Sequence, residues 1–373
     1  MKKVIILLLC AILTLSVKIP ICAEEQLLAK SAVLIDGENG RILYGKEPEQ
    51  KMAMASTTKI MTCIVALENC EPDQVMTVSE KAAKMPKVHM NAIKGEQYYM
   101  KDLLYAMMLE SYNDVAAIVA ENAAGSMEAF AKLMNQKAKE IGAVNTNFVT
   151  PNGLDADNHY STAYDMALIG AYAVKNDEFV KIVTTSSYSF QDLTGKRNVS
   201  VSNKDAFLTM DKDSIGIKTG FTGNAGYCFV GAVKSNGRLF VSCVLACGWP
   251  PNKSYKWHDT KLLMNIGKEN FNYKTVLEDD RQLEVAIDNG TKNKIVAQVN
   301  GNSRMLVSDQ DQIEMKTFFD YQLPVKRNDT IGHVDIYINN QKVEQHKIVS
   351  MESVRKYDYK YCLEKAFGYF IFE

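Results

Sequence analysis

The chain has 373 residues, with 43 lysines and arginines against 44 acidic residues and a formal net charge of −1. That balance leaves no basic footprint for nucleic acid. The 47% hydrophobic and 23% charged fractions are those of a globular protein, and the length suffices for two domains with a sizeable core.

At the N-terminus Lys2 and Lys3 precede an apolar run over 4–15, and Ile21, Cys22 and Ala23 lead into Glu24 and Glu25. A short basic start, an apolar stretch short for a spanning helix and a small residue at the end predict a secretory signal peptide over 1–23. Six cysteines follow it. In an exported protein these could form disulfides. However, Cys63 lies in an apolar helical run, and Cys228, Cys243 and Cys247 lie in strand-like runs, so buried free thiols are expected. Cys243 and Cys247 lack the spacing of a metal site and have no nearby histidine, so neither a metal nor a cofactor is expected.

Residues 31–46 predict a hairpin around the turn-rich Asp36-Gly37-Glu38-Asn39-Gly40. From Ser56 to Asn69 the spacing of Ile60, Cys63, Ile64 and Leu67 predicts a helix. Helical patterns recur over 101–109, 113–124, 127–141 and 163–174, and strand patterns over 214–219, 225–233 and 238–246. This order predicts an α+β domain over 24–272. In it the first hairpin joins the late strands in one antiparallel sheet, with the helices segregated in a block. Beyond residue 272 short alternating runs at 283–287, 294–299, 303–307, 313–319, 330–338 and 342–349 are punctuated by Asn289-Gly290, Asn300-Gly301 and Asn339-Asn340. They predict a small all-β domain over 273–349. It holds His333 and His346 but no cluster of catalytic groups, which suits a spacer or interaction module. The tail, 350–373, carries Arg355, Lys356, Lys360 and Lys365 among many aromatics. A helical wheel puts Val354, Tyr361, Cys362, Tyr369 and Phe372 on one face, interrupted by Asp358 and Lys365. The expectation is a helix lying in a membrane interface.

Three short motifs carry chemistry. Ser56-Thr57-Thr58-Lys59 puts a serine and a lysine three residues apart at a helix start, hence on one face. A serine hydroxyl needs a base, and positive surroundings with partial burial favour a neutral lysine that can accept its proton. Free N–H groups at the helix start suit a developing oxyanion. Ser111-Tyr112-Asn113 falls in a tight turn between two helical patterns. There Ser111 can relay a proton, and the Asn113 amide can hold Lys59 and a substrate carbonyl at once. Lys218-Thr219-Gly220 is read as the end of a strand. Gly220 would let a substrate backbone approach the strand edge, and Lys218 and Thr219 would bind a carboxylate. Alone, each motif is equally a helix cap, a capping turn or an exposed lysine; together they supply nucleophile, base, relay and anion site. His89 and His159 have no obvious serine partner for a histidine-based triad.

With these residues the chain resembles the D-alanyl-D-alanine carboxypeptidases, low-molecular-mass penicillin-binding proteins. The resemblance spans nearly the whole chain. It includes Ala55 to Thr62, Glu110-Ser111-Tyr112-Asn113-Asp114, and Gly216 to Thr222 with Ala225-Gly226-Tyr227. Asn152-Gly153-Leu154-Asp155 and Ser161-Thr162-Ala163-Tyr164-Asp165 are similar to the segment such enzymes carry between the second and third motifs. The resemblance implies a serine β-lactamase/penicillin-binding-protein-like fold exported to the outer face of the cytoplasmic membrane or the cell wall. It implies peptidoglycan stem peptides as substrates and β-lactams as acylating mimics. It also implies roles: Ser56 as nucleophile, Lys59 as base, Ser111 as proton relay, and the N–H groups of Ser56 and Phe221 as oxyanion hole. Lys218 and Thr219 would hold the terminal carboxylate. Two positions depart from the family pattern. Tyr112 stands where a small residue is common, and Ser202-Asn203 stands where an arginine or threonine often helps bind carboxylate.

Other functions share this machinery. A class A β-lactamase needs a glutamate between the second and third motifs, and residues 151–165 contain none. A silent penicillin sensor would not need Ser56, Lys59, Ser111, Asn113 and Lys218 all intact. A cross-link endopeptidase remains open at this level.

Overall fold

The computed structural model describes residues 26–371, so the expected signal peptide lies outside the described residues. The predicted hairpin forms from β1 (Ser31–Asp36) and β2 (Ile42–Lys46). A 3-10 turn, Ala55–Thr58, then runs directly into α1 (Lys59–Asn69). The helical block continues with α2 (Met100–Glu110), α3 (Asn113–Ala124), α4 (Met127–Ile141) and α5 (Ala163–Ala173). Three strands close the sheet, β3 (Ser214–Thr222), β4 (Gly226–Ser235) and β5 (Arg238–Leu245), followed by α6 (Tyr255–Asn270). The strand order is β2-β1-β5-β4-β3, antiparallel throughout, which places β3 on an edge.

Burial explains the layering. Every residue of β1 is buried. Val33 and Ile35 pack into the core shared with the helical block, while Ala32 and Leu34 pack with Leu263 and Met264 of α6. Side chains alternate across a strand, so helices must cover both faces of this sheet. α1 is buried from Lys59 to Ala66 on all sides, as expected of a helix in the middle of its block.

The second domain is all-β. A five-stranded antiparallel sheet is built from β7 (Gln282–Ala286), β8 (Lys294–Asn300), β12 (Gln341–Ser350), β11 (Thr330–Ile338) and β10 (Ile313–Phe319), in that spatial order. A pair made of β6 (Asn272–Leu277) and β9 (Ser303–Val307) faces the first domain. There Leu306 and Phe271 join the apolar cluster of Leu34 and Phe240. The Arg41 guanidinium also donates to the Leu306 carbonyl and pairs with Asp311 at 3.3 Å. A last helix, α7 (Tyr359–Ile371), follows.

Three expectations change. The third motif lies inside β3, which continues to Thr222, rather than at a strand end. The helix α6 was not predicted at all. Val354, placed on the tail's amphipathic face by the helical wheel, instead belongs to the β-domain core: it is 1% exposed and bridges to Val325. All six described cysteines are free.

Candidate active site

The 3-10 turn presents Ser56 half-buried at the foot of α1, following Ala55 in a left-handed conformation (φ +49°). Lys59, the first residue of α1, is fully buried. Its ammonium nitrogen lies 2.9 Å from Ser56 Oγ, 2.8 Å from Asn113 Oδ1 and 2.6 Å from the Asn152 carbonyl oxygen. Burial, and then the charge of Lys218, push the Lys59 pKa well below the ordinary lysine value; only Asp114 acts against this. The lysine is thus held by three oxygens and biased toward the neutral form, as a base for Ser56 must be.

Asn113 is oriented by its own donors, which go to the carbonyls of Pro86 at 3.2 Å and Lys87 at 3.1 Å. Its amide therefore steers Lys59 and ties down the chain at 86–87, and the residue also lines the cavity beside Ser56. Ser111 occupies the junction of α2 and α3 in a left-handed conformation (φ +66°) and lines the same cavity as Ser56. That cavity, about 450 Å³, is also lined by Thr219, Gly220 and Phe221.

Gly220 lines the cavity and has a further purpose beside the one its sequence context suggested. A Cβ there would lie 3.0 Å from the Met54 carbonyl oxygen and 3.1 Å from the backbone nitrogens of Ser56 and Thr57. The glycine admits the protein's own nucleophile turn against β3. Lys218 is buried beneath the cavity lining at 3% exposure, with its ammonium 3.3 Å from the Thr219 carbonyl. Burial lowers its pKa to about 8, against the pull of Asp205 and Glu110. Asp205 is buried behind β3, accepts from Phe207 N–H and Ile217 N–H, and is raised to about 6 by its burial.

Three supporting residues, Asn152, Gly153 and His159, were given no role from sequence. Asn152 supplies a carbonyl to Lys59, and Gly153 lets that loop reach the nucleophile turn: a Cβ on Gly153 would fall 2.0 Å from the Ala55 carbonyl oxygen. Both sit in the segment that carried the family resemblance, and a backbone-carbonyl role leaves no mark on residue type. His159 accepts from Val149 N–H at Nδ1, so its Nε2 donates to Thr58 Oγ1 at 3.0 Å. Burial lowers its pKa to about 4. It is a neutral brace beside the nucleophile turn and touches Thr58, not Ser56. Among the described residues no three His, Cys, Asp or Glu side chains gather as a metal site.

This geometry, a buried lysine on a serine at the foot of a central helix beside an edge strand, defines a lysine-activated serine acyl-transfer site. Comparison with known proteins makes it specific. Residues 18–247 match the family described as D-alanyl-D-alanine carboxypeptidase, and residues 271–356 match the C-terminal domain of penicillin-binding protein 5. The chain is 27% identical over 350 residues to D-alanyl-D-alanine carboxypeptidase DacF of Bacillus subtilis, covering 91% of this chain and 89% of that protein. A D-alanyl-D-alanine endopeptidase of Pseudomonas aeruginosa is 32% identical over 216 residues, covering 56% of this chain and 67% of that protein. The crystal structure of the carboxypeptidase DacD from Francisella tularensis superposes with a TM-score of 0.73 at 26% identity, over 89% of this chain and 94% of that one. The chain belongs to the D-alanyl-D-alanine carboxypeptidase family and is a serine-type hydrolase.

Proposed function

We propose that this serine hydrolase removes the terminal D-alanine of peptidoglycan stem peptides through an acyl-enzyme on Ser56. The observation that carries the assignment of roles is the contact of 2.9 Å between Ser56 Oγ and a fully buried Lys59. Lys59 accepts the Ser56 proton as Oγ attacks the carbonyl between the last two D-alanines. The N–H groups of Ser56 and Phe221 hold the oxyanion, each contributing about 3–4 kcal/mol by analogy with other oxyanion holes. Ser111 passes a proton to the departing amine, and water then cleaves the ester. A β-lactam acylates Ser56 in the same way.

The loop between the second and third motifs supports a peptidase rather than a β-lactamase. It presents a carbonyl, not a carboxylate, to Lys59; two of its three acids are engaged elsewhere, and the third, Asp157, is exposed. Asp155 accepts from Thr222, and Asp165 from Thr146 and Asn145 N–H.

We further propose that the protein acts outside the cytoplasmic membrane, with α7 resting on the membrane surface. Tyr359, Leu363 and Phe367 are exposed on it, and Tyr357 is exposed just before it. No helix among the described residues is long and apolar enough to cross a bilayer, so contact would be interfacial.

The deciding experiment measures D-alanine release from a peptide ending in D-Ala-D-Ala beside turnover of a β-lactam. Release with a long-lived penicilloyl adduct is expected. Rapid β-lactam turnover without release would overturn the proposal, and cleavage confined to cross-linked dimers would make the enzyme an endopeptidase.

A further inference from the structure

The β domain leaves one strand open along its whole length. β10 (Ile313–Phe319) stands at an edge of the five-stranded sheet. It pairs with β11 on one side and, among the described residues, with no strand on the other. All seven of its residues are exposed, with Ile313, Met315, Phe318 and Phe319 at 38–46%. Its ladder with β11 runs from Ile313 to Phe319 without a bulge, and the strand contains no proline. Sheet edges are ordinarily shortened, bulged, covered or broken by proline, because their free N–H and C=O groups accept any other strand. The opposite edge, β7, is blunter: it has five residues, and Glu284 there is paired with Lys294 of β8 at 3.0 Å. A regular, apolar, seven-residue edge is a liability in a monomer and an asset only where something pairs with it.

We infer that β10 is a dimerisation edge, which takes the same strand of a second copy of this chain, antiparallel about a two-fold axis at Met315. The backbone fixes which groups are free. Asn339 N–H donates to the Gln312 carbonyl and Asp320 N–H to the Ile331 carbonyl, both toward β11. Direction alternates along a strand, so Ile313, Met315, Thr317 and Phe319 turn their N–H and C=O groups outward. The charges then choose the partner and the register. Glu314 and Lys316 lie on one face, 3.3 Å apart and well exposed. With the axis at Met315, that residue faces its own copy, Ile313 faces Thr317, and Glu314 faces Lys316 twice over by symmetry. These charged positions are the non-hydrogen-bonded ones, where facing side chains come closest. Moving the axis one residue back sets Glu314 against Glu314. Moving it one residue forward sets Lys316 against Lys316, and an axis at Thr317 sets Glu314 against Asp320. On the other face Ile313 and Met315 of the two copies join in one apolar row. The contact is self-complementary and closes on itself, so association stops at the dimer. A contact limited to one strand pair falls short of the roughly 1,600 Å² of a long-lived interface, so the dimer exchanges readily with monomer.

The test is sedimentation velocity of the full chain in mild detergent at low ionic strength, over a concentration series. It compares wild type, E314K, K316E and an equimolar mixture of these two variants. Wild type should show a monomer–dimer equilibrium. Each variant alone sets two like-charge pairs across the axis, so its dissociation constant should rise roughly tenfold or more. The mixture sets opposite charges against each other at both pairs, and a heterodimer should form with near wild-type affinity. Mixing cannot repair the ion pair that each variant loses within its own strand, so recovery reports the contact between copies. T317P removes an outward N–H while the ladder to β11 stays intact. It should be monomeric, with unchanged hydrolysis of a soluble peptide; if melting curves show that it does not fold, the charge variants decide. A wild type that is monomeric at every concentration would overturn the inference and leave the edge to a different chain. A dimer indifferent to both charge changes, a mixture no tighter than the variants alone, or association that continues past the dimer would overturn it too.

Discussion

Both domains have an apolar core, but only the catalytic domain also buries a group of charged side chains around its site. The catalytic domain hides Lys59, Lys218, Lys256, Asp114, Asp205 and Asn113 almost completely. The core of the β domain is aliphatic, formed by Val285, Ile295, Val299, Val334, Ile336 and Ile348 among others. Its buried polar residues are Ser303, Asp335 and Ser350, with Asp335 tied to Lys342 at 2.8 Å. Burying a charge costs several kcal/mol unless it is paired. A domain that gathers three buried lysines around one cavity gives up stability for chemistry there, and a domain with an aliphatic core does not. We propose that catalysis resides in the first domain and that the β domain supports it.

The sharpest way to break that contrast is Ser56→Ala. Removing the nucleophile should lower peptide hydrolysis roughly 10⁴-fold or more and abolish covalent labelling by penicillin, with the melting temperature little changed. Labelling that persists would place the nucleophile elsewhere.

Next in size is Gly153→Ala. Its φ of +81° and the 2.0 Å approach to the Ala55 carbonyl oxygen leave no room for a methyl group. The neighbours that would have to move are backbone atoms of the nucleophile turn. A destabilisation of about 2–4 kcal/mol is expected, visible in urea unfolding, together with slower acylation. An Ala variant as fast and as stable as wild type would show that the loop at 151–154 does not buttress Ser56.

How far the sequence could be read follows the same physics. The helices at 113–124, 127–141 and 163–173 and the six β-domain runs were legible because apolar residues alone set their period. α6 was missed since its inward face begins Lys256, Asp259, Thr260 before Leu263 and Met264. A helix that buries charge for the site conceals its period from any pattern of hydrophobicity. Lys218-Thr219-Gly220 looked like a strand end because glycine weakens strand patterns, although β3 runs on to Thr222. The motif side chains were found by type, whereas the Asn152 carbonyl and the Gly153 contact are backbone features that type does not reveal.

A smaller effect should appear with pH. Lys218 and Lys256 both have pKa values lowered to about 8, mainly by burial. Below that pH they carry positive charge beside the cavity; above it they lose it. The value of kcat/KM for the free-acid peptide should therefore fall above about pH 8, and Asp205→Asn should shift the fall to lower pH by removing the acid that supports the Lys218 charge. Stability moves in the opposite direction. Between about 8 and the ordinary lysine value of 10.5 the unfolded chain binds more protons at these lysines than the folded one, so their contribution to stability rises with pH. A rate that falls while the melting temperature holds would separate lost binding from unfolding. A flat profile to pH 10 would show that neither lysine's charge is used.

The smallest expected effect on catalysis comes from the far end of the molecule, and there the structure dictates where to cut. Truncation at residue 350 would remove Val354, which is buried in the β-domain core, and the pairing of Gly290 with Lys356. Such a variant would confuse loss of attachment with loss of fold. Removing 359–373 deletes only α7 and leaves those contacts in place. Its kcat and KM on a soluble peptide should match those of the full chain, while its sedimentation with anionic vesicles should drop. Ile348→Ala offers the complementary control. Emptying a fully buried site in the β domain should cost about 2–4 kcal/mol of that domain's stability while kcat on a soluble peptide stays near wild type. If either change slowed acylation of Ser56 several-fold, the aliphatic domain would be coupled to the active site through the Arg41 and Phe271 contacts, and its role would extend beyond support.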